Sequence, residues 1–229
     1  MSDLEGRSVE ETAGQVTPPQ DRRAVETRER LRRLLSLTGG ERALEVGTGA
    51  GATAIALAPL VRSVTGVDVV SQLLVEGRAQ APANVEFVEA DATALPFEQG
   101  SFDLVCAVGM LHHVARPELV LAEMSRVLRP GGTMLVVDEL APGDPLAAIE
   151  RNSFERVSDP STTRILADVD FRGLFDANNL VLGRAEVVRE QRDLAHHGCQ
   201  SGDREGASAR TPHATSVVYC WYVLRKPGF

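Results

Sequence analysis

The stretch Leu44-Glu45-Val46-Gly47-Thr48-Gly49-Ala50-Gly51 constrains this chain more than any other. An apolar run ends, glycines fall at alternate positions, and a helix-favouring segment, 52–60, begins. Glycine reaches φ > 0 at little cost and has no Cβ to hold a ligand away from the main chain. A strand that passes through such a turn into a helix belongs in an open α/β sheet. Its turn lies at the carboxyl edge, where sheets of this kind bind their ligands.

The segments that follow keep the alternation. Residues 63–69, 85–89, 102–108 and 133–137 read as strands; 71–80 and 116–128 read as helices, the second closed by Pro130-Gly131-Gly132. The runs 102–108 and 133–137 are apolar nearly throughout, as in strands covered on both faces. Upstream, Val25, Leu31, Leu34 and Leu35 mark one face of a helix over 20–37, stopped by Thr38-Gly39-Gly40. Downstream, 141–178 reads as mostly helical, and 180–190 and 216–225 as two β-rich segments. Strands alternating with helices predict a parallel, doubly wound α/β sheet. Residues 1–17 read as a flexible polar tail, and 191–215 as a flexible glycine-rich loop.

Composition narrows the functional classes. With 229 residues and a net charge of −8, the chain lacks the clustered cations that a nucleic acid requires. No apolar run approaches the ~20 residues of a membrane span. Residues 1–17 have neither the charged start nor the apolar stretch of a signal peptide. The three cysteines, Cys106, Cys199 and Cys220, form no CxxC pair, and an odd number argues against a disulfide framework. The expectation is a reduced, cytoplasmic protein with no nucleic-acid partner and no membrane span.

Gly47, Gly49 and Ala52 also satisfy the G-x-G-x-x-G/A fingerprint of dinucleotide sites, so the turn alone leaves the ligand open. Three acids add information. Glu45 lies two residues before the first glycine, where a carboxylate suits an ammonium group and repels a diphosphate. Asp68 ends the next strand, 21 residues after Gly47, a spacing suited to a ribose diol. Asp91 ends the third strand, and its oxygens, acceptors only, suit an exocyclic adenine amino group. S-adenosylmethionine carries an ammonium, a ribose and an adenine, and no phosphate.

These segments resemble a known family. ALEVGTGAG at 43–51, VTGVDV at 64–69, VEFVEADATALPFEQGSFDLV at 85–105, MLHHV at 110–114 and EMSRVLRPGGTMLVVDE at 123–139 resemble the class I S-adenosylmethionine-dependent methyltransferases. Within these, the chain is most similar to the ubiquinone/menaquinone C-methyltransferase-like (methyltransferase type 11) group. The resemblance spans roughly residues 35–140. It implies a Rossmann-like, doubly wound, seven-stranded sheet, mostly parallel, with an antiparallel seventh strand paired to the sixth. One methyltransferase domain would span 18–229, with a lid helix at 18–40 and a substrate-cap insertion at 141–179. It also implies S-adenosyl-L-methionine as cofactor, S-adenosyl-L-homocysteine as product, and a small-molecule acceptor methylated on C, N or O. Glu45, Gly47, Thr48, Gly49 and Gly51 would surround the methionine part, Asp68 and Val69 the ribose, Asp91 and Ala92 the adenine. The strand end around residues 107–110, Ala107 and Val108 included, would floor the site near the sulfonium.

Methyl transfer from a sulfonium is an in-line displacement, so the protein chiefly aligns the acceptor and excludes water. A base is needed only where the acceptor loses a proton. His112 and His113 follow the fourth strand and are the candidate bases, with an alternative in which one caps the next helix and the other packs beneath it. Asp138, Arg151, Phe154 and Arg164 are candidates for binding the acceptor. His196, His197 and Cys199 make too sparse a set for a metal site, and none is expected. Two alternatives to methylation stay open: a non-methylating enzyme on this fold, such as a cyclase, and a cofactor-binding regulatory protein.

Overall fold

The computed structural model describes residues 19–192 and 215–228. Helix α1 (Pro19–Leu34) leads into β1 (Arg42–Val46), α2 (Ala52–Leu57), β2 (Ser63–Asp68), α3 (Ser71–Arg78), β3 (Val85–Glu89) and β4 (Phe102–Val108). A 3-10 turn at Leu111–His113 precedes α4 (Pro117–Val127) and β5 (Leu128–Glu139). Two cap helices, α5 (Pro145–Ser158) and α6 (Asp168–Ala177), precede the hairpin β6 (Val181–Arg192) and β7 (Thr215–Arg225). The strands form one sheet in the order β3-β2-β1-β4-β5-β7-β6. Strands β1 to β5 pair in parallel, and β7 runs antiparallel to both β5 and β6. Among the described residues no helix is long and apolar enough to cross a membrane. The tail at 1–17, nearly all of the 191–215 loop, and His196, His197 and Cys199 lie outside the described residues.

Side chains alternate across the sheet because successive Cβ atoms point to opposite faces. On one face Leu31 and Leu34 of α1, Leu35 just after it, Leu57 of α2 and Leu74 of α3 pack on Ala43, Val64, Leu104, Cys106, Leu135 and Trp221. On the other, Leu121 and Met124 of α4 and Phe171 and Phe175 of α6 pack on Leu44, Val46, Val105, Ala107, Val136 and Tyr222. Cys106 is a small core residue, as expected. Arg33 holds Glu186 of β6 with paired 2.7 and 2.8 Å hydrogen bonds, and Arg30 stands 5.1 Å over the Trp221 ring. Helix α1 therefore braces the sheet instead of covering the cleft described below.

Pro130-Gly131-Gly132 does not separate α4 from the next strand. The strand starts at Leu128, immediately after the helix, and these residues form an irregularity between the Leu128 and Thr133 pairings to β4. Gly131, at φ 74°, supplies the reversed backbone there.

Candidate active site

The turn after β1 is fastened from below and behind. Gly47 and Thr48 amides both donate to the Val67 carbonyl at 2.9 Å. Glu45 is buried, and its Oε2 accepts from the Thr48 hydroxyl at 2.5 Å and the Ala54 amide at 2.8 Å. Removal from water disfavours the charged carboxylate and pushes Glu45 up to about 7. Glu45 and Thr48 thus shape the turn from its rear. The sequence expectation that they line the ligand side does not hold, because the side chain at the end of β1 points beneath the loop.

The glycines divide the work. Gly51, at φ 84°, caps α2, and a Cβ there would fall 2.4 Å from Phe87 Cζ. A Cβ on Gly47 would fall 2.6 Å from Met110 Cβ. Gly49 (φ 55°) and Gly109 (φ 65°) face open space: a Cβ on Gly49 would meet only Leu73, at 4.0 Å, and one on Gly109 nothing within 4 Å.

That space is a cleft of about 500 Å3 at the carboxyl ends of β1, β2, β3 and β4. Gly47 and Gly49 form one wall, and Asp68, Val69, Asp91 and Ala92 the next. Of the floor expected at 107–110, Gly109 and Met110 line the cleft, whereas Ala107 turns into the core and Val108 does not reach the lining. Leu73, Val70, Ala90, Thr93 and Val114 also line the cleft without having been singled out, and so does Ser161. Gly109 repeats, after β4, the apolar-run-then-glycine signal of β1, and that signal marks the floor. Among the described residues, no Lys or Arg lines this cleft.

Both cleft aspartates are already oriented. Asp68 accepts from the Gly49 amide through Oδ2 at 2.8 Å and from the Val70 amide through Oδ1 at 3.0 Å. Asp91 Oδ1 accepts from the Thr93 amide at 2.8 Å and hydroxyl at 2.7 Å, and these bonds hold its carboxyl below the usual range.

The two histidines part company. His112 Nδ1 meets Asp138 Oδ1 at 2.5 Å, and the buried Asp138 also accepts from the Leu111 and Glu139 amides. Asp138 therefore serves the 3-10 turn rather than a substrate. His113 lines the cleft, and its Nδ1 lies 3.0 Å from Ser161 Oγ. Burial first, and the adjacent His112 second, lower the His113 pKa. Neither ring caps α4, whose N-cap is Arg116.

The other expected acceptor residues do not converge on this cleft. Arg151 is wedged between Glu139 (2.5 Å) and Glu155 (2.9 Å), tying α5 to the end of β5. Phe154 lies outward beside Arg151, whose guanidinium carbon is 5.8 Å from the ring. Arg164 pairs with Asp170 at 3.1 Å and lines a separate recess of about 430 Å3 between α5 and α6.

The sheet order, with a glycine turn where β1 and β4 diverge, defines the class I methyltransferase fold. Residues 44–136 match the methyltransferase domain family. The chain is 34% identical over 143 residues to the uncharacterized methyltransferase YcgJ of Bacillus subtilis (strain 168), covering 61% of this chain and 56% of the relative. It is 34% identical over 137 residues to the demethylmenaquinone methyltransferase of Clavibacter sepedonicus, covering 59% and 56%. The crystal structure of YcgJ from Bacillus subtilis shares the fold with a TM-score of 0.77 at 23% identity, over 90% of this chain and 99% of that one. The chain thus spans a little over half the length of the curated relatives it matches.

Proposed function

We propose that the protein binds S-adenosyl-L-methionine in this cleft and transfers its methyl group to a small organic acceptor, releasing S-adenosyl-L-homocysteine. One observation carries the reading: Asp68 and Asp91, at the ends of consecutive strands, face a single cleft walled by Gly47 and Gly49, with no Lys or Arg among the described residues that line it. Each Asp68 oxygen has spent one lone pair on a backbone amide and keeps another, which suits two vicinal hydroxyls. Asp91 has committed Oδ1 to Thr93, leaving Oδ2 for an amino group. A diphosphate-bridged dinucleotide would instead meet two carboxylates and, among the described residues, no Lys or Arg.

When bound, the cofactor supplies a methyl carbon on a positively charged sulfur, a leaving group that needs no further activation. The chain's own residues hold and orient. Met110, Val69, Leu73 and Val114 present apolar surface that excludes water, and the open faces of Gly49 and Gly109 admit a ligand against the main chain. Holding two reactants in line contributes on the order of 7–11 kcal/mol to lowering the barrier. The Clavibacter sepedonicus relative is, by its name, a methyltransferase of demethylmenaquinone, which favours an organic acceptor outside the macromolecules here.

Calorimetry with S-adenosylhomocysteine and with NADH tests the reading. Binding of the first and none of the second is the expected result. The reverse order of affinity refutes it. Release of S-adenosylhomocysteine from S-adenosylmethionine across a set of small hydroxylated and amino acceptors then tests the transfer itself.

A further inference from the structure

We propose that His113 takes a proton from the acceptor and that Ser161, backed by Asp159, positions it by fixing which ring nitrogen carries hydrogen. The inference rests on the methyl-transfer reading of the same cleft and narrows the acceptor class.

Ser161 and Asp159 belong to the segment between α5 and α6, far from His113 in sequence. Ser161 Oγ lies 2.5 Å from Asp159 Oδ1 and 3.0 Å from His113 Nδ1. A serine hydroxyl has one hydrogen, and a carboxylate only accepts. Burial pushes the Asp159 carboxyl up, but the Ser161 hydroxyl and amide outweigh it and hold Asp159 below its usual range. The hydroxyl hydrogen therefore points to Asp159, and the Ser161 oxygen presents a lone pair to the ring. His113 Nδ1 must donate. In the neutral ring Nε2 then carries the lone pair.

The segment is anchored, so this geometry persists. The His112 carbonyl accepts from the Thr163 amide at 2.8 Å and hydroxyl at 3.0 Å, and the same hydroxyl reaches the Val114 carbonyl at 2.8 Å. The Ser161 amide is held by Asp159 at 2.9 Å. Several charged or titratable groups surround His113. They are the His112 ring, 4.0 Å away between centroids, Asp159 on the segment, Asp138 at the end of β5, and Asp68 and Asp91 across the cleft. With its pKa lowered, His113 is neutral at neutral pH and its Nε2 is available as a base. Below that pKa the ring is charged and the base is lost.

The step balances without a further reactant. The acceptor's O–H, N–H or C–H bond would break and its electron pair would form the new bond to the methyl carbon; the carbon–sulfur pair would leave on sulfur as S-adenosylhomocysteine, and the proton would go to Nε2. The resulting imidazolium keeps its Nδ1 hydrogen on Ser161 and later releases the Nε2 proton to water. The acceptor class is accordingly one that must surrender a weakly acidic proton; a thioether or tertiary amine would gain nothing from His113.

Long-range 1H–15N NMR of the full-length, 15N-labelled chain near pH 8 reads the tautomer without any turnover. The expected result is Nδ1–H at His113, loss of that preference in S161A, and its recovery in S161T. Nε2–H in the unmodified protein, or an unchanged tautomer in S161A, overturns the proposal. With the acceptor turned over in the assay above, S161A should lower kcat roughly tenfold and leave S-adenosylhomocysteine affinity unchanged. An unchanged kcat and pH profile overturns it. If S-adenosylhomocysteine does not bind at all, the functional reading fails while the tautomer result stands by itself.

Discussion

The Gly49 amide donates to Asp68 Oδ2 at 2.8 Å, joining the middle of the glycine turn to the end of the neighbouring strand. The carboxylate that would take the ribose hydroxyls is thereby also a brace for the turn that forms the opposite wall.

Replacing Asp68 removes both contributions. Hydrogen bonds to a charged group are worth about 1.5–3 kcal/mol each. Asp68→Ala is expected to weaken S-adenosylhomocysteine binding by roughly two orders of magnitude while far-UV circular dichroism stays unchanged; Asp68→Asn, which keeps one acceptor oxygen, should lose less. Calorimetry on both variants measures this, and equal affinity in all three proteins would remove Asp68 from the site.

Glu45 gives the protein a pH-dependent stability. Its folded pKa, near 7, lies above its ordinary value, so its contribution is fully present at low pH and is lost as pH rises through about 7. Glu45→Gln keeps an acceptor oxygen and cannot ionise. The variant should be more stable than the parent at pH 8, by up to about 3 kcal/mol, and nearly equal to it below pH 4.5. Urea denaturation at the two pH values provides the comparison.

The histidine pair predicts a division of effects. His113→Ala should lower turnover by about 10²–10⁴-fold with little change in melting temperature, the range of a lost proton acceptor. His112→Ala leaves the buried Asp138 carboxylate without its side-chain partner, and should lower stability by a few kcal/mol. Thermal melts and single-turnover assays on both variants separate the two roles, and the opposite pattern would exchange them.

Arg151 stands between two buried carboxylates, so its removal takes a cation from both. Arg151→Met should destabilise the protein by about 3–5 kcal/mol, and Arg151→Met with Glu139→Gln and Glu155→Gln should recover much of that loss. Denaturant midpoints for the single and triple variants test the pairing.

Much of this was legible in the sequence. The apolar runs at 43–46, 63–69 and 102–108 announce buried strands because parallel strands hide both faces, and the glycines and strand-end acids mark the binding edge. What escaped depends on direction and distance. Within the expected floor at 107–110, strand alternation sends Ala107 into the core, and only Gly109 and Met110 face the cleft. Glu45 and Asp138 sit at strand ends as expected, yet they point inward to amides that only the folded chain supplies. The pairing of Arg151 with Glu139 crosses from a helix to a strand, and that of His113 with Ser161 spans 48 positions, a reach for which no local periodicity has a signal.

The hook between Thr163 and the His112 carbonyl moors the α5–α6 insertion to the turn that carries His113. A graft within 145–167 that keeps this latch, the Arg151 bridge and Ser161 should therefore alter the recess between the two helices while the walls at the ends of β1, β2 and β3 stay as they are.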